Sequence, residues 1–198
     1  MESEEKKFQI INLSSYFNED GISYATNRAD GDFGAYGYTY PAEELPESNT
    51  RFICQGVEFL FPDKSDGQNN NLTLEKQNIQ VPAKNYEAIN ILGASEMGSF
   101  EEEIALEYSD GSLEKAPLGL SDGWAEPSKY KEKVGIRCSK IHALEGNMES
   151  VKVKPTVWLQ KIVLNSSKKL TTIKLADNFC MHIFALTLTI SKVRKNLN

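Results

Sequence analysis

The chain has 198 residues, 40% of them hydrophobic and 25% charged, and its 22 Lys and Arg against 28 Asp and Glu give a net charge of −6. That length and balance allow a full hydrophobic core and exclude a disordered chain. The acidic sign argues against a nucleic-acid partner, which requires clustered Lys and Arg along the phosphate backbone.

Residues 1–7, Met-Glu-Ser-Glu-Glu-Lys-Lys, read as a flexible charged tail with no apolar secretory segment, and no run of about 18 apolar residues follows. The expected setting is cytoplasmic and away from membranes, with one domain over 8–192. A first strand is expected at Phe8 to Leu13. From Ser14 to Asn49 the chain is dense in Gly, Asp, Asn and Tyr, and the pattern predicts a long functional loop with one helical turn at Pro41 to Leu45.

Short β-rich runs then alternate with turn signals, as in a sandwich or barrel. They are Arg51 to Cys54 and Val57 to Phe61 around Gly56, then Ile79 to Val81, then Tyr86 to Leu92. Over Phe100 to Tyr108, the side chains of Phe100, Ile104, Leu106 and Tyr108 share one face and Glu101, Glu103 and Glu107 the other, the signature of a half-buried strand. Asp110-Gly111 supplies a hairpin turn into Leu113 to Leu118. Beyond a loop from Gly119 to Lys129, Val134, Ile136 and Cys138 alternate with Gly135 and Arg137. Val157 to Leu164 and Leu170 to Leu175 flank Asn165 to Lys168, which reads as a second hairpin turn, and Phe179 to Ile190 is the strongest strand. The three cysteines, Cys54, Cys138 and Cys180, are too few and too scattered for a zinc site or a disulfide framework, and are read as reduced and mostly buried.

The fold class is therefore all-β, a two-sheet antiparallel sandwich. The segments Asn12 to Ile22, Gly37 to Pro46, Tyr108-Ser-Asp-Gly111, Leu120-Ser-Asp-Gly-Trp124 and His182 to Leu188 together resemble the galactose-binding-like superfamily, the jelly roll of many carbohydrate-binding modules and discoidin-type domains. The resemblance implies that the N- and C-terminal strands are adjacent, and that glycan binding beside bacterial carbohydrate-active enzymes is a more natural role than catalysis. It also implies a structural calcium near the chain ends, for which Asn18, Asp20, Asp30 and Asp32 are the early oxygen donors, whereas Thr187 and Thr189 stand where a late carboxylate would help.

Trp124, in a loop, is the first candidate for stacking on a sugar, with Asp122 and Arg137 as hydrogen-bonding partners; the plainer reading is a Trp closing the core edge beside a solvated ion pair. Tyr36, Tyr38 and Tyr40 recur at every second position, which makes either a stacking platform or, as is commoner for aromatics, a seal against the core. His142 is a candidate ligand contact, His182 a hydrogen-bonded histidine at the core edge, and Trp158 core. The expected function is a non-catalytic carbohydrate-binding-like module. Its alternatives are a protein-interaction or assembly module, such as a homodimer, and a glycoside hydrolase using two carboxylates.

Overall fold

A computed structural model describes residues 8–34, 36–125, 127–144, 147–148 and 154–191, so the tail expected over 1–7 and the final residue of 8–192 lie outside the described residues. The first half of the chain forms β1 (Phe8–Ile11), β2 (Ile22–Ser23), β3 (Tyr38–Pro41), β4 (Arg51–Cys54), β5 (Val57–Leu60), β6 (Leu72–Glu75) and β7 (Asn78–Ser95). The second forms β8 (Phe100–Tyr108), β9 (Leu113–Leu120), β10 (Lys133–Arg137), β11 (Ile141–Ala143), β12 (Asn147–Met148), β13 (Thr156–Val163), β14 (Lys169–Lys174) and β15 (Asp177–Ile190). Helical structure among the described residues is confined to one 3-10 turn at Ala42–Glu44, where the sequence predicts a helical turn. None of the described helices is long and apolar enough to cross a membrane.

The sandwich is organised by β7, which serves both sheets. Its first half pairs with β14 from Asn78 to Asn85. Its second half pairs with β15 from Tyr86 onward and with β13 from Ala88 onward. The register with β14 slips between Gln80 and Lys84, and Pro82, which has no N–H to give to a ladder, sits in that slip. One sheet therefore runs β10, β13, β7, β15, with β6 beside the first half of β15 and β1 beside its second half, and the other runs β7, β14, β8, β9.

Between the sheets lies one core, with Ile104, Leu106, Leu118, Leu170 and Ile173 facing Ile89, Ile91, Ile162, Leu186 and Leu188. The alternation along β8 is realised here: Ile104, Leu106 and Tyr108 are buried. The chain ends meet as expected, with Phe8 opposite Thr189 and Ile11 opposite Leu186.

Three elements differ from the reading of the sequence. The segment from Ser14 to Asn49 is largely a covering layer: β2 and β3 join β11 and β12 in a four-stranded sheet. With the β4–β5 hairpin, this layer packs on the outer face of the central sheet, and Ile22, Phe33, Tyr40, Phe59 and Phe61 make a second core with Leu92, Trp158 and Phe184. The last half of β7 and most of β15 are consequently buried on both faces, as central strands are. Finally, Asn165 to Lys168 is a turn, with Lys168 N–H donating to the Asn165 carbonyl at 3.3 Å, but no hairpin. Its flanking strands separate, β13 to one sheet and β14 to the other.

Candidate functional site

At one end of the covering layer, the chain from Asp32 to Tyr38 folds back on itself. Gly37 N–H donates to Asp32 Oδ1 at 3.0 Å, and Phe33 N–H donates to the Tyr38 carbonyl at 2.6 Å. This turn drives Phe33 into the core and leaves Tyr36 67% exposed.

From Tyr36 a chain of ring contacts runs inward. Tyr36 lies 6.0 Å from Tyr38, Tyr38 meets Trp124 edge-on at 6.4 Å, and Trp124 stacks on Tyr40 at 4.9 Å. Tyr40 in turn meets Phe33 at 5.0 Å, and Phe33 lies over Phe184 at 5.9 Å. The three tyrosines therefore divide between the core and the surface. Tyr40 seals the core, its hydroxyl donating to the Thr156 carbonyl at 3.0 Å and its pKa pushed up by burial. Tyr36 and Tyr38 carry the series to the surface.

The Trp124 loop is shaped by what lies under it. A Cβ on Gly123 would stand 2.2 Å from the Tyr40 hydroxyl, so only glycine lets the loop settle there. The carboxylate of Asp122 accepts the Trp124 N–H at 2.7 Å, and its carbonyl accepts the Trp158 indole N–H at 3.1 Å. Burial holds the Asp122 carboxyl above its ordinary range, against the backbone hydrogen bonds of Trp124 and Gly98. Trp124 is half-buried, and Trp158 belongs to the second core, as expected.

The other sequence candidates fall around this centre. Arg137 is opposite Thr156 in the β10–β13 ladder, and Thr156 N–H donates to the Gly123 carbonyl at 2.9 Å, one strand away from the Trp124 loop. His142 is fully buried beneath the surface. Its Nδ1 is 3.0 Å from the Ser23 carbonyl and 3.2 Å from Ser23 Oγ, its Nε2 is 3.8 Å from Glu43, and burial lowers its pKa. Its strand pairs with β3, placing it behind Thr39 and beside Tyr38.

The early oxygen donors do not assemble into a calcium cage. Asn18 exchanges two hydrogen bonds with Thr73, Asp20 accepts from Ile22 and Asn70, Asp30 from Gly67 and Asp32 from Gly37. Burial, with the Asp30 and Asp66 charges adding to it, raises the Asp20 carboxyl to about 6. Among the described residues no three His, Cys, Asp or Glu side chains are grouped to hold a metal ion.

One feature of this end was only partly legible in the sequence. His182, placed at the core edge by its parity with Phe184, is fully buried, with Nδ1 2.8 Å from Glu19 and 3.0 Å from Asn71, and Nε2 4.0 Å from Glu96. Phe33 covers its ring at 4.0 Å. Glu19 and Glu96 are distant in sequence and carry no local pattern that would link them.

A family model described as "AziU2-like beta-sandwich domain" matches residues 6–192. No curated protein matches the chain.

Proposed function

We propose, from the premise that the chain belongs to the AziU2-like beta-sandwich domain family, that it is a non-catalytic carbohydrate-binding module of the galactose-binding-like, jelly-roll type, acting beside a separate enzyme of bacterial glycan metabolism. The observation that carries this reading is the ring series ending at Tyr36 and Tyr38, because an aromatic face held from beneath by Trp124 and Tyr40 stacks on the apolar face of a pyranose at little entropic cost. Asp122 supports it as a carboxylate beside that surface. The free, buried Cys54, Cys138 and Cys180 support a reducing, cytoplasmic setting.

Calorimetry against a panel of neutral plant and bacterial oligosaccharides tests the reading. Tyr36→Ala, at an exposed position, is expected to keep the fold and weaken binding roughly tenfold, the order of one good aromatic contact. Absence of heat with every sugar would sink it.

A second reading, an assembly module, is favoured by the apolar side chains that Tyr36, Met97, Leu144 and Phe179 expose. Sedimentation over micromolar to millimolar protein separates the two, since a sugar-binding monomer keeps one mass throughout.

A further inference from the structure

A groove of about 420 Å³ lies where the β4–β5 hairpin stops covering the central sheet. Asn90, Lys161 and Thr189 form its floor, the hairpin turn at Gln55 one wall, and the segment from Tyr130 to Lys133 the other. A second hollow of about 620 Å³ shares Tyr130, Lys131, Gln160 and Lys161 with it, so the two adjoin.

Its charge is opposite to that of the chain. Against a net −6, Lys131, Lys133 and Lys161 line the first hollow with no carboxylate among its described lining residues. Lys129 extends the line into the second, where Lys115 is held by Glu103 at 2.6 Å and Glu101 is the only acid among the described lining residues.

The local fold builds this separation. In the segment Lys129-Tyr-Lys-Glu-Lys133 the acid, Glu132, is 6% exposed and turned inward. It accepts Ser121 N–H at 2.6 Å, Ser121 Oγ–H at 2.9 Å and Tyr130 N–H at 3.0 Å. The three lysines are left outside. Tyr130 is fixed in turn: its hydroxyl donates to the Ser99 carbonyl at 3.0 Å, and its ring fills the place of a side chain at Gly119, where a Cβ would come 2.4 Å from it. Lys131 itself holds φ at 63°, a conformation costly to a residue with a side chain and retained only where the surroundings enforce it. The lysines are thus displayed on a braced loop, which lowers the ordering cost of binding an anion.

We infer that this groove binds a carboxylate-bearing oligosaccharide. The inference rests on the carbohydrate reading above and gives it a substrate class at a second surface. The three lysines of the first hollow, with no carboxylate among its described lining residues, match the charge of a polyuronate, which carries one carboxylate per ring. Short anionic chains suit it better than nucleic acid, because the acidic remainder of the surface repels a polyanion that reaches beyond the groove.

The test is amide chemical-shift mapping of the full chain with hexagalacturonate and with neutral galactohexaose, repeated on Lys131→Glu/Lys161→Glu and on a control, Lys169→Glu, outside the groove. The expected result is shifts at 129–133 and 159–161 with the acidic hexamer alone, an affinity at least roughly tenfold weaker in the double variant, and no change in the control. Acidic and neutral sugars both binding only around Tyr36 and Trp124 would overturn this inference and leave the proposed function standing. Shifts with neither would also overturn this inference, while the proposed function falls only if the whole oligosaccharide panel gives no heat. Equal occupation of the groove by inorganic sulfate or a short DNA duplex would overturn the glycan assignment.

Discussion

Gly34 and Glu96 are in a contact that no side chain at position 34 could share: a Cβ there would lie 1.5 Å from Glu96 Oε2. Gly34 also sits at φ 92°, in the left-handed region. Glu96 is buried beside His182, so its carboxylate has no inexpensive way out. Gly34→Ala is expected to cost about 2–3 kcal/mol and lower Tm by roughly 5–10 °C. Gly67 is the control, with φ 75° and open space for 4 Å around the point where a Cβ would stand; Gly67→Ala should cost only about 1 kcal/mol. Equal losses in thermal melts of the two variants would show that the Glu96 contact contributes nothing.

Glu132 holds the basic segment in place through three hydrogen bonds to its carboxylate. Glu132→Ala leaves two backbone N–H groups and a hydroxyl without acceptors and is expected to destabilise by about 2–4 kcal/mol in urea titration. Glu132→Gln, which keeps one acceptor oxygen, should lose less. If alanine and glutamine were equally mild, the loop would not depend on this anchor.

Asp20 gives a pH signature of its own. Burial lifts its carboxyl from an ordinary 3.8 to about 6, with Asp30 and Asp66 adding to the rise and hydrogen bonds from Ile22 and Asn70 opposing it. The folded chain therefore holds this proton more tightly than the unfolded chain. Its contribution favours folding below about 4 and turns unfavourable as pH climbs toward 6 and beyond. Asp20→Asn keeps the acceptor oxygen and should stabilise at pH 7 by on the order of 1 kcal/mol after allowance for partial solvent screening. Chemical denaturation at pH 7 and at pH 3.5 checks it, because the gain should vanish at the lower pH.

His142 works in the opposite sense. Burial lowers its pKa below the ordinary 6.5, ahead of the opposing pull of Glu43, so the unfolded chain takes up a proton that the folded chain refuses. Its contribution is complete above 6.5 and is lost as pH falls below that value. His142→Gln should be less stable than the parent by about 2 kcal/mol at pH 8, through loss of the Ser23 contacts. That deficit should shrink on acidification. A deficit constant from pH 8 to pH 5 would count against a buried neutral imidazole.

Much of the fold is written in local pattern. Alternation along Phe100 to Tyr108 names the buried face of β8 directly, because a strand's side chains change face at every residue. The sequence marks Tyr36, Tyr38 and Trp124 by a different signal, aromatic residues in segments rich in turn residues. The groove carries no such mark. Its lysines, glutamine and asparagine come from β7, β13, the β4–β5 turn and the Lys129 to Lys133 segment, and each stretch alone reads as an ordinary solvated surface.

The sequence by itself determined strand content and which residues are apolar enough to be core, since both follow from two-residue periodicity and hydrophobicity, whereas the adjacency of the chain ends was implied only by the superfamily resemblance. Tertiary structure decided which strands share a sheet. The turn at Asn165 to Lys168 has the chemistry of a hairpin, yet β13 and β14 part company there because β7 offers each of them a different half of one long strand. It also decided that Ser14 to Asn49 is a covering layer, as contacts such as Phe33 on Phe184 join residues far apart in the chain. Periodicity reports the environment of a residue and is silent on its partner; the partner is chosen by packing across the whole molecule.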